Sequence, residues 1–189
     1  MSYNYSGSRR EGTVRKQYAV VIYLPEQLER FVAPLRERYD PDYDLITAHI
    51  TLVFPWETTV PLSELTAVLA TETLRLSPIE IELNSVGDFY PDTPIIYWQV
   101  APNGDLNRLY RNLYSQLGLT LPFNDIIPHV TVAKEISPHR VVLVKDQIAS
   151  YLPHESFEAT ALDLVSPLAD NKWVSVRTFP LAAVLPDQE

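Results

Sequence analysis

An order of elements occurs twice in this chain, with the same short pattern at the same place in each half. "TAHITLVFPW" (residues 47–56) reads as a strand, yet His49 and Thr51 interrupt its apolar run two positions apart. "IIPHVTVAKE" (126–135) does the same with His129 and Thr131. Side chains alternate across a strand, so residues i and i+2 share a face. Each histidine therefore points with its threonine, while Ile50, Leu52, Val130 and Val132 point the other way, toward a core.

The flanking segments repeat as well. "QYAVVIYLP" (17–25) is β-rich, and "EQLERFVAPLRERY" spaces Leu28, Phe31, Val32 and Leu35 as one helical face, with Pro34 expected to kink or shorten it. An acidic loop at 40–44 leads to the first His-x-Thr strand. A helix from about Pro61 buries Leu62, Leu65, Val68 and Leu69, and "PIEIELNSVGDF" alternates as a half-buried strand. The second half repeats the order. "IIYWQVA" is a strand, and a helix with Leu106, Leu109, Tyr110, Leu113 and Leu117 on one face stops at Gly118. After the second His-x-Thr strand, Ser137-Pro138 suits the start of a helix ending near Pro153. "FEATALDLVS" and "KWVSVRTFPL" read as strands. The expectation is α+β: two pseudo-symmetric lobes of mostly antiparallel sheet with helices on the outer faces.

Composition excludes several chemistries. The 189 residues contain no cysteine, so disulfides, thiolate metal sites and a cysteine nucleophile are absent. Five glycines, none in a phosphate-loop or dinucleotide pattern, speak against those folds. No apolar run approaches a membrane span, and the polar N-terminus lacks the apolar stretch of a signal peptide. A cytoplasmic protein with tails at 1–16 and 183–189 around one domain at 17–182 is expected. The formal charge of −9 opposes an extended nucleic-acid surface but not a small anionic substrate in a pocket.

If the two His-x-Thr strands lie side by side, two imidazoles and two hydroxyls converge on one cleft. That set suits phosphoryl chemistry. One neutral imidazole takes a proton from the attacking group, a protonated one donates to the leaving oxygen, and each threonine hydroxyl steadies a non-bridging phosphate oxygen. Histidine can fill either role near neutral pH.

"HITLVFP" and "PHVTVAKE", each preceded by a strand–helix unit, resemble the two-histidine (2H) phosphoesterase superfamily, over about residues 17–182. The resemblance implies a bilobal fold with the site between the lobes. It puts His49 and His129 in the places of the catalytic histidines, and Thr51 and Thr131 in those of the phosphate-binding hydroxyls. It also puts Lys134 where members often carry a basic residue. By parity Lys134 points opposite to His129 unless the strand has ended. The activity implied is opening or hydrolysis of a 2′,3′-cyclic phosphate or 2′-5′ phosphodiester of a nucleotide or short RNA end, by a monomer that needs no cofactor and no metal. Trp56, Tyr97 and Trp173 are base-stacking candidates, though packing is the default for each. His139 and His154 are expected on the surface. Two alternatives stand beside this reading: a module of the same fold that binds a phosphorylated ligand without turnover, and a metallohydrolase with Asp125 as a third ligand.

Overall fold

In the computed structural model, which describes residues 15–181, one eight-stranded sheet carries four helices. The two expected tails fall outside the described residues except at their inner edge, where Lys16 already opens the first strand. In chain order the elements are β1 (Lys16–Tyr23), α1 (Glu26–Tyr39), β2 (His49–Thr58), α2 (Leu62–Thr73), β3 (Ile79–Asp88), β4 (Ile96–Val100), α3 (Gly104–Gln116), β5 (His129–Ala133), α4 (Val141–Tyr151), β6 (Glu155–Ala159), β7 (Ala161–Pro167) and β8 (Trp173–Pro180). The order across the sheet is β6-β3-β4-β5-β2-β1-β7-β8, with every pair antiparallel.

The centre of that order is the pair β5-β2, one His-x-Thr strand from each half. Outward from it, β4 mirrors β1, and β3 mirrors β7. The third strand of each repeat has therefore crossed into the other half of the sheet. The helices cross too, α1 packing on β5 and α3 on β2. Neither half of the chain makes its own half of the sheet, which ties the two repeats into one core.

"FEATALDLVS" reads as one strand but forms two. β6 is an edge strand beside β3, whereas β7 lies between β1 and β8, and Thr160 alone joins them. Six strand spacings in a flat sheet would separate β6 from β7 by roughly 29 Å. A one-residue link spans only about 7 Å. The sheet must curl back on itself, and the Leu181 N–H donating to the Thr160 carbonyl at 2.8 Å fastens the corner.

All four helices cover one face. Val20, Ile22, Ile50, Leu52, Val130, Val132 and Trp98 are fully buried there against Leu28, Val32, Leu65, Leu69, Leu106, Leu113, Val144 and Ile148. α1 runs unbroken through Pro34, because Pro34 lies on its solvent side, where the carbonyl left without a partner faces water. In α2, Leu62 is in the first turn and opens to solvent, unlike the expected stripe. α3 ends as expected at Gly118, in the left-handed conformation at φ 66°. Gly118 and Leu119 N–H donate to Ser115 and Tyr114 carbonyls, the pattern that closes a helix end. Ser137 makes no side-chain cap. A 3-10 turn at Pro138–Arg140 intervenes before α4 begins at Val141.

The segment leading to His49 is held by a buried ion pair. Arg36 near the end of α1 donates from Nε to Asp40 at 3.0 Å and from Nη2 to the Ile46 carbonyl at 2.8 Å, with both side chains almost wholly excluded from water. One guanidinium thus clamps both ends of the 40–46 loop. Breaking a buried pair from one side leaves a charge without compensation. Arg36→Leu is expected to lower unfolding free energy by about 3–5 kcal/mol, and Arg36→Leu with Asp40→Leu by less. Urea denaturation of the three proteins measures the difference, and a double variant worse than the single would contradict the account.

Candidate functional site

The site lies on the sheet face turned away from the helices and is built by the register of its two central strands. Ile50 pairs with Val130. In an antiparallel ladder the next positions then set Thr51 toward His129 and His49 toward Thr131. Directly opposed Cβ atoms are about 4.5–5.5 Å apart and diagonal ones about 7–8 Å. The two imidazoles thus stand on a diagonal, each beside the other motif's hydroxyl. All four side chains are half-buried.

Both histidines are tethered in the same way. The Nδ1 of His49 lies 2.8 Å from the Thr47 carbonyl, and that of His129 lies 2.6 Å from the Ile127 carbonyl. A carbonyl only accepts, so Nδ1 carries the hydrogen in each ring and Nε2 is left with its lone pair. Burial pushes the His49 imidazole down to about 4. The Thr47 carbonyl opposes this, while the positive charges of Arg36, Lys134 and His129 add to it. His129 is also pushed down, by burial first, against the pull of the Ile127 carbonyl. At neutral pH both rings are therefore neutral, and both Nε2 atoms are poised to accept.

The surroundings of the two rings differ. His129 is walled by aromatics: its ring centroid is 4.9 Å from Tyr97 and 5.1 Å from Phe89, and those two rings are 4.4 Å apart. Tyr97 pairs with Thr131 on one side and with Gly87 on the other. A Cβ on Gly87 would come within 2.6 Å of the Tyr97 ring, so only glycine lets that ring lie flat across β3. Asp88, bound to Lys145 at 2.7 Å, backs the same corner, and burial followed by the Asp88 charge raises the Tyr97 phenol. His49 has Tyr23 edge-on at 6.4 Å and then an open cavity of about 240 Å³ whose lining includes Thr51, Asp42, Lys134 and Trp173.

A sequence model of the 2'-5' RNA ligase superfamily matches residues 24–171. The chain belongs to that superfamily. A Geobacillus kaustophilus protein with a provisional phosphoesterase name is 31% identical over 167 residues, covering 86% of this chain and 95% of its own. A Bacillus pumilus protein named in the same way is 31% identical over 168 residues, covering 87% and 97%. Among solved structures, Escherichia coli LigT complexed with 3'-AMP superposes with a TM-score of 0.65 at 17% identity, over 90% of this chain and all of LigT. A Thermus thermophilus protein does so with a TM-score of 0.65 at 15% identity, over 89% of this chain and 100% of its own. The two-histidine resemblance and the α+β fold read from the sequence both hold.

Within this superfamily fold the remaining candidates separate. β5 ends at Ala133, so Lys134 escapes the alternation that would have turned it away, and it lines the His49 cavity. Its ammonium is 2.6 Å from Asp42 and 3.9 Å from Asp40. The acidic loop does reach the cleft, but two of its carboxylates are occupied there, Asp40 by Arg36 and Asp42 by Lys134. Trp56 is half-buried and packs against the core, beside Tyr18 at 6.0 Å. Trp173 lines the cavity. His139 and His154 are exposed, as expected. Asp125 is held by Arg111. Among the described residues no three histidine, aspartate or glutamate side chains converge as a metal-ligand set. No helix among them is long and apolar enough to cross a membrane. Of the Phe89–Tyr97 wall, the sequence offered Tyr97, which packs as its default has it, but not Phe89. The isolated Gly87 in an alternating strand was its available signal, since such a glycine marks a close approach.

The depressed His49 pKa has a consequence for stability. Between about 4 and the ordinary value of ~6.5, the unfolded chain binds a proton that the folded one refuses. The contribution is complete above pH ~6.5 and is lost as pH falls toward 4. His49→Gln removes it, so the fall in urea midpoint from pH 7 to pH 4.5 is expected to be smaller in the variant than in the wild type. Equal falls would contradict the burial assigned to this ring.

Proposed function

We propose that the protein is a metal-independent phosphodiesterase that acts on a 2′,3′-cyclic phosphate or a 2′-5′ phosphodiester of a nucleotide or short RNA end. The observation that carries this reading is the matched pair of tethered imidazoles, each with a free Nε2, beside two threonine hydroxyls across one strand pair. Escherichia coli LigT has been solved with 3'-AMP, ATP and NADP+, which supports a small nucleotide as ligand for this fold.

For a cyclic phosphate, water is the one other reactant. The Nε2 of one neutral histidine takes a proton from water as its oxygen bonds to phosphorus. The bond from phosphorus to the ribose 2′ or 3′ oxygen breaks, and the Nε2–H of the other, protonated histidine supplies that oxygen with its proton. The proton returns from the first ring to the second through solvent. Thr51 and Thr131 donate to the non-bridging oxygens, whose charge redistributes in the transition state. Nδ1 of each ring stays on its carbonyl throughout, so neither ring needs to turn over between proton transfers. Binding of the anionic phosphate raises the pKa of the histidine that must be charged, offsetting the burial that keeps it neutral in the free protein.

The superfamily fold could also hold a phosphorylated nucleotide without turnover. Both His–Thr pairs are intact here, which favours the enzyme. His49→Ala and His129→Ala are each expected to lower kcat on a 2′,3′-cyclic nucleotide by at least ~10² while circular dichroism stays that of the wild type. Dialysis against a strong chelator is expected to leave wild-type turnover unchanged. Near-wild-type turnover in either variant would sink the paired role. Loss to the chelator with recovery on adding zinc or manganese would replace it with a metal mechanism.

The pH profile carries a second expectation. kcat/KM reports the free protein, in which both histidines lie below their ordinary value. Its bell should therefore peak below about pH 6.5. kcat reports the complex, and its peak should lie at higher pH. A kcat/KM optimum above pH 8 would contradict the assignment.

A further inference from the structure

The two histidine tethers look alike, but the peptide groups that carry them differ. In both halves the residue before the histidine is anchored through its carbonyl, Ala48 by the Leu24 N–H at 3.2 Å and Pro128 by the Val100 N–H at 3.1 Å. The carbonyl that holds Nδ1 belongs to the residue before that, Thr47 or Ile127. At the nitrogen end of the same planar peptide, Ala48 carries an N–H and Pro128 carries none. Glu29 accepts from the Ala48 N–H. Glu29 is the fourth residue of α1, and Arg36, two turns further on, lies on the same helix face. Arg36 takes the Ile46 carbonyl and Glu29 the Ala48 N–H, so one helix face grips both ends of the segment that leads into β2. The counterpart of Glu29 in the second half is Asn107, the fourth residue of α3. It is uncharged, and its Oδ1 accepts from the Ile126 N–H at 3.2 Å, two peptides before the tether.

We infer that Glu29 is a positioning residue for His49, whose carboxylate acts through the Thr47–Ala48 peptide on the Nδ1–H bond and favours the charged ring. A negative charge at the N–H end of a peptide shifts electron density toward its carbonyl oxygen, which becomes a stronger acceptor. A charged imidazole bonds to such an oxygen more strongly than a neutral one. The effect is therefore greatest when His49 holds its second proton, as it must at one stage whether it serves as acid or as base. His129 has no such path, because Pro128 closes it. Burial raises the Glu29 carboxyl above its ordinary value, while the Arg36 charge and the Ala48 N–H oppose this by favouring the ionised form. Arg36 itself spends Nε on Asp40 and Nη2 on Ile46. The Glu29 Oε2 is buried with no hydrogen-bond partner among the described residues. The carboxylate is thus left to act on the peptide in front of it. Its consequence for turnover rests on the phosphodiesterase reading, but its consequence for the ring does not.

The test is a nitrogen-15 NMR titration of both histidines, free and with adenosine 2′-monophosphate, in the wild type, Glu29→Gln, Ala48→Pro and the double variant. Glutamine keeps an acceptor for the Ala48 N–H and removes only the charge. Proline at 48 copies the second tether: it keeps the carbonyl that Leu24 uses and removes the N–H. The other groups that bear on the two side chains stay in place, Tyr43, Asp44 and Lys172 around Glu29, and Arg36, Lys134, His129 and Tyr23 around His49. In Glu29→Gln the His49 pKa is expected to fall by about half a unit or more, with that of His129 unchanged. Adding Glu29→Gln to Ala48→Pro is expected to lower it no further. An unmoved His49, or an equal fall in both rings, would overturn the inference, as would a further fall in the double variant. Glu29→Gln alone decides the matter if Ala48→Pro does not fold. On a 2′,3′-cyclic nucleotide, Glu29→Gln is expected to lower kcat about three- to tenfold with KM unchanged. A wild type that shows the His49 shift yet turns over no cyclic phosphate would overturn the proposed reaction and leave the role of Glu29 standing.

Discussion

Everything at the site depends on the pairing of β2 with β5 about Ile50 and Val130. Strand side chains alternate, so this register buries both apolar residues under the helices and at the same time sets two histidines and two threonines on the opposite face. A slip of one residue would turn the histidines into the core and the isoleucine and valine into the cleft. The apolar demand of the core therefore enforces the geometry of the polar site. The exchange of β3, β7 and the helices between halves strengthens that coupling, because the two strands cannot part without opening the core shared by both repeats.

A second constraint acts on the rings themselves. Each imidazole spends Nδ1 on a carbonyl two residues back along its own chain, in the short extended segment before its strand. That bond selects the tautomer and the ring angle together. Arg36 supports it for His49 by pinning the 40–46 loop. On the other side, Phe89 and Tyr97 pack directly on His129, with Gly87 making room. Two different supports thus hold two equivalent rings. The difference leaves a cavity beside one histidine and closes the space beside the other.

Much of this was legible in the sequence, for reasons that particular residues make plain. His49, Thr51, His129 and Thr131 could be set on shared faces because strand alternation is a strict period of two. The helical face of α3 and its stop at Gly118 followed from equally local rules. What could not be read was long-range. Thr160 looks like the interior of a strand, and only the closure of the sheet turns it into a corner. The crossing of β3 into the other half leaves no local mark. Lys134 hung on whether β5 ended one residue earlier or later, which alternation alone does not decide. The acidity of the 40–44 loop is plain in the sequence, but the partners of Asp40 and Asp42, Arg36 and Lys134, are brought to it only by folding. Trp56 and Trp173 looked alike in sequence, and only their places against Tyr18 and beside His49 tell them apart.

If the two imidazoles form one matched pair around a single phosphate, each carries hydrogen on Nδ1 and turns Nε2 to the ligand. Nitrogen-15 NMR of the histidine side chains tests it most directly, in the free protein and with a nucleotide monophosphate added. His49 and His129 are both expected as the Nδ1–H tautomer, titrating below ~6.5. Both should then move to higher pKa when the nucleotide binds. Hydrogen on Nε2 in either ring, or a response to the nucleotide from one ring alone, would contradict it.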